Sequence, residues 1–153
     1  GMDHRAALRD TAAGRRFLAA KLAVYELTRP LVRGAVIDAE AAIAFLAAPV
    51  ACAGLCWTRW RLLHRLKQAP LSDAQARRLR ELALSLCVSR EAGYCLQALA
   101  AMRRLMIRLA TPELVLALAE LVGSADEQAA RRARALLAAI QRHGSSPSPD
   151  PSR

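Results

Sequence analysis

Residues 111–143 read TPELVLALAELVGSADEQAARRARALLAAIQRH, and this stretch decides the fold. Thr111 can cap a helix, Pro112 then takes the first helical position, where its missing N–H costs nothing, and Glu113 faces the positive end of the helix dipole. The turn GSAD at 123–126 separates this helix from a second one. A connection this short predicts two antiparallel helices that pack as a hairpin.

The second helix of the hairpin has an apolar face and a basic face. Ser124 and Glu127 have the spacing of a capping box at its start. Its apolar residues recur at helical spacing, and these are Ala133, Leu136, Leu137 and Ile140. Its arginines fall mostly on the other side, and these are Arg131, Arg132 and Arg134. This division predicts a helix that packs on one side and is solvated on the other.

Two helices with the same kinds of signal precede the hairpin. Ser72 and Gln75 have the spacing of a capping box, and the apolar positions that follow are Leu79, Leu82, Ala83 and Leu86. Ser89 can cap the next helix, predicted over about 90–110, with an apolar row at Leu96, Leu99, Met102, Leu105, Met106 and Leu109. These two helices carry the arginines discussed below.

Two further helical regions are predicted near the start of the chain. The first runs from about Asp3 to Leu27, with an apolar row at Leu8, Leu18, Leu22 and Tyr25. The second runs from Leu31 to Lys67 and is kinked or broken at Pro49. The chain is therefore predicted to be all-α, with six or seven helices in an antiparallel bundle or a stacked array of helical hairpins.

Composition supports one helical domain. The chain has 153 residues, enough to bury a core without disulfides or a metal, and only 7 glycines and 7 prolines interrupt it. We predict a single domain over residues 2–143. The Ser/Pro-rich segment at 144–153 is predicted to be a disordered tail.

The hairpin at 111–143 resembles a single HEAT-type repeat. Its segment TPELVLALAELV is similar to the first helix of such a repeat, and ARRARALLAAI is similar to the second. The resemblance covers about a fifth of the chain, and no second copy follows at the period expected of a stacked array. It implies a protein-binding scaffold without catalysis.

The side chains that serve metals and catalysis are not arranged for either role. Cys52 and Cys56 share a helical face, but His64 lies too far along the same helix to converge with them on a metal. The cysteines at 52, 56, 87 and 95 are interpreted as small buried side chains in a reducing, cytoplasmic compartment. No nucleophile, base and orienting group occur together, and there is no glycine-rich phosphate loop. We expect no enzyme, no metal and no cofactor.

Positive charge is the strongest indication of function. The formal net charge is +10, and Lys21 and Lys67 are the only lysines, so arginine supplies almost all of it. Between Trp57 and Arg108 there are eleven basic residues against three acidic ones. The predicted partner or nucleic-acid surface consists of Arg59, Arg61, Arg65, Lys67, Arg77, Arg78, Arg103, Arg104 and Arg108. The same composition is also typical of a GC-rich bacterial genome, and arginines near a helix C-terminus also complement its dipole.

Three functional hypotheses remain. The first is a non-catalytic interaction, scaffold or regulatory module whose arginines bind an acidic protein partner, or which self-associates. The second is a nucleic-acid-binding helical domain, because arginines beside Trp57 and Trp60 can clamp phosphates and stack on bases. The third is a membrane-associated helical protein, because residues 41–57 form a 17-residue stretch without charge, although a buried core helix has the same pattern.

Overall fold

The structure is a computed structural model that describes residues 11–30, 36–48, 56–89 and 96–144. These residues form seven α-helices and no strand, so the prediction of an all-α chain is confirmed. The helices are α1 (Ala12–Thr28), α2 (Ala39–Ala47), α3 (Cys56–Leu66), α4 (Asp73–Val88), α5 (Leu96–Leu109), α6 (Pro112–Val122) and α7 (Glu127–Gly144).

The chain divides into two compact units. The first unit contains Gly1–Leu71 and Glu91–Leu99, and the second contains Ser72–Arg90 and Ala100–Arg153. Helix α5 therefore begins in the first unit and continues through the second. A single domain over 2–143 stays a prediction. Of the predicted tail, Gly144 is the last residue of α7, and 145–153 lie outside the described residues.

In the first unit, α1 has a well-formed start and an exposed apolar row. The Thr11 hydroxyl accepts a hydrogen bond from the Gly14 N–H at 2.8 Å, which caps the helix. Leu22 and Tyr25, two members of the predicted apolar row, are 61% and 57% exposed, whereas Val24 is buried. The prediction of a start near Asp3 falls on residues outside the described part of the chain.

Helices α2 and α3 contact each other and carry the buried side chains of the first unit. Asp38 caps α2 by accepting from the Ala41 N–H at 3.1 Å, and residues 36–38 are not helical. The predicted helix from Leu31 is therefore wrong at this point, because Asp38 starts a new helix. Residues 49–55, including the predicted break at Pro49, lie outside the described residues. The buried side chains include Ala42, Ile43, Leu46, Leu62, Leu63 and Leu66.

In the second unit, α4 follows its sequence signals closely. The predicted capping box is present: the Ser72 hydroxyl accepts from the Gln75 N–H at 3.1 Å, and the Gln75 side chain accepts from the Ser72 N–H at 2.9 Å. The predicted apolar row is buried, at Leu79, Leu82, Ala83 and Leu86. In α5, Met102, Leu105, Met106 and Leu109 are buried, but Leu96 is 81% exposed at the first residue of the helix.

Helices α6 and α7 form the hairpin predicted for residues 111–143, and they contact each other more extensively than any other pair of described helices. Thr111 caps α6 as predicted, accepting from the Leu114 N–H at 3.2 Å. The start of α7 differs from the prediction, because Asp126 takes the capping role expected of Ser124. Its carboxylate accepts from the Gln128 N–H at 3.0 Å and lies immediately before the first helical residue.

No helix in the described ranges is both long enough and apolar enough to cross a membrane. Helix α2, which contains the start of the apolar stretch 41–57, has nine residues.

Candidate functional site

Two groups of arginines stand out in the second unit, and the first group stabilises the fold. Arg132 on α7 donates from Nη1 to the backbone oxygens of Leu86 at 2.6 Å and Ser89 at 3.3 Å. Gln128 Nε2 donates to the same Ser89 oxygen at 3.3 Å. The last carbonyls of a helix have no partner inside it, so these side chains cap the C-terminal end of α4.

Arg80 does the same for another helix. Its Nη1 donates to the backbone oxygen of Leu109, the last residue of α5, at 3.2 Å. Like Arg132, it is half-buried. The guanidinium groups of Arg80 and Arg132 therefore have backbone partners within the second unit.

Cys87 lies in the same capped region and is not activated for chemistry. Burial raises the pKa of its thiol from 9.0 to about 11, against the opposing effect of nearby Arg132. Its Sγ donates to the Ala83 carbonyl at 3.4 Å. A protonated, buried thiol is a poor nucleophile, as the sequence interpretation of the cysteines expects for this position.

The second group of arginines surrounds a groove on the surface of the second unit. We call it the α5/α7 groove, because α5 and α7 supply all of its lining: Ala100, Arg103, Arg104, Ile107, Ala139, Arg142 and His143. Its volume is about 450 Å³. On both helices the lining residues are three or four positions apart, which places them on one face of each helix. Apolar side chains line the groove together with basic ones, and no carboxylate does.

The helices that form this groove are strongly positive. Helix α5 contains three arginines and no acidic residue, and α7 contains four arginines and no acidic residue after Glu127. Arg104, Arg142 and His143 are exposed, and Arg103 is half-buried. The summed charge makes this face attractive to an anionic ligand, and the effect weakens as salt increases.

A second, smaller groove lies at the start of α7. Its volume is about 330 Å³, and its lining consists of Val122, Ser124, Glu127, Ala130, Arg131 and Arg134. Glu127 places a carboxylate beside the two arginines. The charge of this groove is therefore more balanced than that of the α5/α7 groove.

The prediction that Arg59 belongs to the partner or nucleic-acid surface is wrong. The sequence analysis placed it among the exposed arginines, but its side chain is fully buried, at 0% exposure. Leu62, Leu63 and Leu66 are also fully buried and lie three, four and seven positions later, so Arg59 shares their face of α3. That spacing was visible in the sequence and identifies Arg59 as part of the packed face.

The other predicted surface residues are accessible but do not form a single site. Arg61 and Arg65 are exposed on α3 in the first unit, followed by half-buried Lys67. In the second unit, Arg77 and Arg78 are exposed on α4, and Arg108 is exposed on α5. Of the predicted set, Arg103 and Arg104 line the α5/α7 groove.

Sequence reasoning missed the α7 side of the groove. Arg142 and His143 line the groove from the last turn of α7, and the predicted surface did not include them. The available signal was their spacing of three and four residues from Ala139 on the same helix.

The structure shows no sign of a metal centre in its described ranges, where no three His, Cys, Asp or Glu side chains come together to hold an ion. His64 instead stacks on Trp60, one turn earlier on α3, with ring centroids 5.5 Å apart and an interplanar angle of 15°. This stacking occupies one face of the Trp60 ring.

Comparisons of the chain with models of protein families, with curated proteins and with solved structures found no match.

Proposed function

We propose that the chain is a non-catalytic helical interaction module that binds an acidic protein partner through the arginines of its second unit. The α5/α7 groove carries this proposal, because it combines Arg103, Arg104 and Arg142 with no carboxylate in its lining. Arginine is well suited to the role, since its planar guanidinium matches the two oxygens of a carboxylate. A cytoplasmic location belongs to the same proposal and rests on the interpretation of the cysteines.

The hairpin of α6 and α7 supports a scaffold role. These two helices pack on each other and bury Leu114, Leu118 and Ala133, while α7 exposes arginines on its other side. The resemblance of 111–143 to a HEAT-type repeat implies the same kind of work, a rigid helical surface that binds another protein. We therefore infer that α7 serves both as a packing element and as part of a binding surface.

Nucleic acid binding is the second candidate, and the continuous positive charge of α5 favours it. Three observations favour the protein partner instead. No tryptophan, tyrosine or phenylalanine lines the α5/α7 groove, and one face of Trp60 is already taken by His64. Buried Arg59 cannot belong to a phosphate-binding stripe on the surface. Self-association and membrane association through 41–57 are further alternatives.

The test compares two labelled probes on the purified full chain by fluorescence anisotropy. One probe is a polyglutamate peptide and the other is a single-stranded oligonucleotide, each titrated over a series of salt concentrations. We expect tighter binding of polyglutamate near physiological ionic strength. Tighter binding of the oligonucleotide, with an affinity that falls steeply with salt, would contradict the proposal, because that dependence reports the release of phosphate counterions.

A further inference from the structure

We propose that the α5/α7 groove is a docking site for an acidic, amphipathic segment of the partner protein. One apolar side chain of that segment sits on the apolar floor of the groove, and neighbouring carboxylates bind the arginines on either side. This inference rests on the proposed function and specifies where the partner binds and what its segment looks like.

The floor of the groove is built from small and apolar side chains. Ala139 is buried, Ala100 is half-buried, and Ile107 is half-buried beside them. Alanine methyl groups leave room between α5 and α7 for a side chain from outside, and Ile107 offers it an apolar contact. The volume of about 450 Å³ is sufficient for a few side chains, since ligand pockets span about 300–1,000 Å³.

The rim of the groove carries positive charge on both sides. Arg103 and Arg104 project from α5, and Arg142 and His143 project from α7. Across the described ranges, Arg103 and Arg104 make no hydrogen bond or ion pair, so their guanidinium groups are available to a partner. Carboxylates on both sides of one apolar side chain therefore complement the groove in charge and in polarity.

This combination selects a peptide over a nucleic acid backbone. A phosphate backbone would bind the arginines but would leave the floor of Ala100, Ile107 and Ala139 without an apolar partner. A segment with an apolar residue between acidic ones fills both parts of the groove. Helical peptides that bind in grooves place their anchor residues three or four positions apart on one face.

The experiment uses helical peptides as probes on the full chain. The first peptide has one leucine with a glutamate four positions before it and another four positions after it, so that all three side chains lie on one face of the helix. The second replaces that leucine with serine, and the third replaces the glutamates with glutamines. Binding is measured by fluorescence anisotropy at constant ionic strength.

Two double variants of the protein separate the groove from general charge. The groove variant is Arg104→Glu with Arg142→Glu. The matched control is Arg131→Glu with Arg134→Glu, which changes charge equally at the smaller groove on the same unit. Circular dichroism and thermal unfolding verify that both variants are folded.

We expect the unmodified chain to bind the first peptide. The groove variant should bind the same peptide at least about tenfold more weakly, which corresponds to about 1.4 kcal/mol of binding free energy. We expect the control variant to lose no more than about threefold, the effect of a distant charge. The serine peptide should bind about threefold to tenfold more weakly than the leucine peptide, because it leaves the apolar floor unfilled.

Two different failures are distinguishable. If both double variants weaken binding equally, or the serine peptide binds as well as the leucine peptide, the groove is not the docking site, but binding of an acidic partner stands. If no acidic peptide binds the unmodified chain, the proposed function itself fails, and binding of the oligonucleotide in its place would favour the nucleic-acid alternative.

Discussion

Two regions of the second unit use arginine on α7 in opposite ways. At the C-terminal end of α4, Arg132 is half-buried and donates to the backbone oxygens of Leu86 and Ser89. At the α5/α7 groove, Arg142 is exposed and faces other basic residues across the groove. The first region supplies backbone acceptors to its arginine, whereas the second collects several basic side chains and has no carboxylate in its lining. A count of arginines therefore says little about function until the acceptors around each of them are known.

The contrast also changes the meaning of the net charge. Arg80 and Arg132 contribute to the +10 but are committed to backbone carbonyls, and Arg59 is buried. The exposed arginines of the second unit lie on α4, α5 and α7.

Arg132→Ala should lower the free energy of unfolding by about 1.5–3 kcal/mol, because it removes charged hydrogen bonds to two carbonyls at the end of α4. Chemical denaturation measures the change. Arg131→Ala is the matched control on the neighbouring exposed position, and it should change stability by no more than about 0.5 kcal/mol. Equal effects of the two substitutions would contradict a stabilising role for the hydrogen bonds that Arg132 donates.

Alkaline pH should destabilise the capped region through Cys87. Burial raises the pKa of its thiol to about 11, so the unfolded chain releases this proton from about pH 9 upward while the folded chain keeps it. The contribution to stability is complete below pH 9 and is lost as pH rises toward 11, by about 2 kcal/mol. The difference between the unmodified chain and Cys87→Ala, measured by denaturation at each pH, isolates this effect from other groups. Parallel pH curves would show that Cys87 does not contribute.

Arg80→Ala should cost about 1 kcal/mol, because it removes one hydrogen bond, to the last carbonyl of α5. The matched control is Arg77→Ala on the exposed face of the same helix, for which we expect a change within about 0.5 kcal/mol. Thermal or chemical unfolding of the two variants provides the measurement. A larger loss of stability for Arg77→Ala than for Arg80→Ala would contradict the role of Arg80 as the cap of α5.

Arg104→Ala should leave stability almost unchanged, within about 0.5 kcal/mol, because its guanidinium is exposed and stabilises nothing in the second unit. Any change should be toward a higher unfolding temperature, because the substitution relieves repulsion among the basic residues of the groove. A loss above about 1 kcal/mol would move Arg104 into the structural group and weaken the groove as a binding site.

Local signals predicted much of the fold. The Ser72–Gln75 box and the Thr111 cap depend on residues within one turn, and both form as predicted. The apolar row of α4 is also buried as predicted. The predictions were wrong where the sequence offers a second capping residue. Asp126 replaces Ser124 as the cap of α7, and Asp38 starts a helix inside a region that was predicted to be continuous.

The candidate site was predicted only in part, because it depends on helix packing. Arg103 and Arg104 were selected from local charge, but their association with Arg142 arises only because the fold brings residues of α5 and α7 to the same groove. The capping role of Arg132 was not predictable either, since its acceptor Leu86 lies 46 residues earlier in the chain. Arg59 is different, because its spacing from Leu62, Leu63 and Leu66 already indicated a buried position.

The hydrogen bonds that Arg132 and Gln128 donate to the C-terminal end of α4, here called the clamp, have a consequence for the order of folding. The hairpin of α6 and α7 is made of contacts between neighbours in sequence, whereas the clamp joins residues 39 to 46 positions apart. Contacts between distant residues form after local ones have reduced the cost of closing the loop. Loss of Arg132 should therefore accelerate unfolding and leave the refolding rate nearly unchanged, which makes this side chain a determinant of how long the folded state lasts.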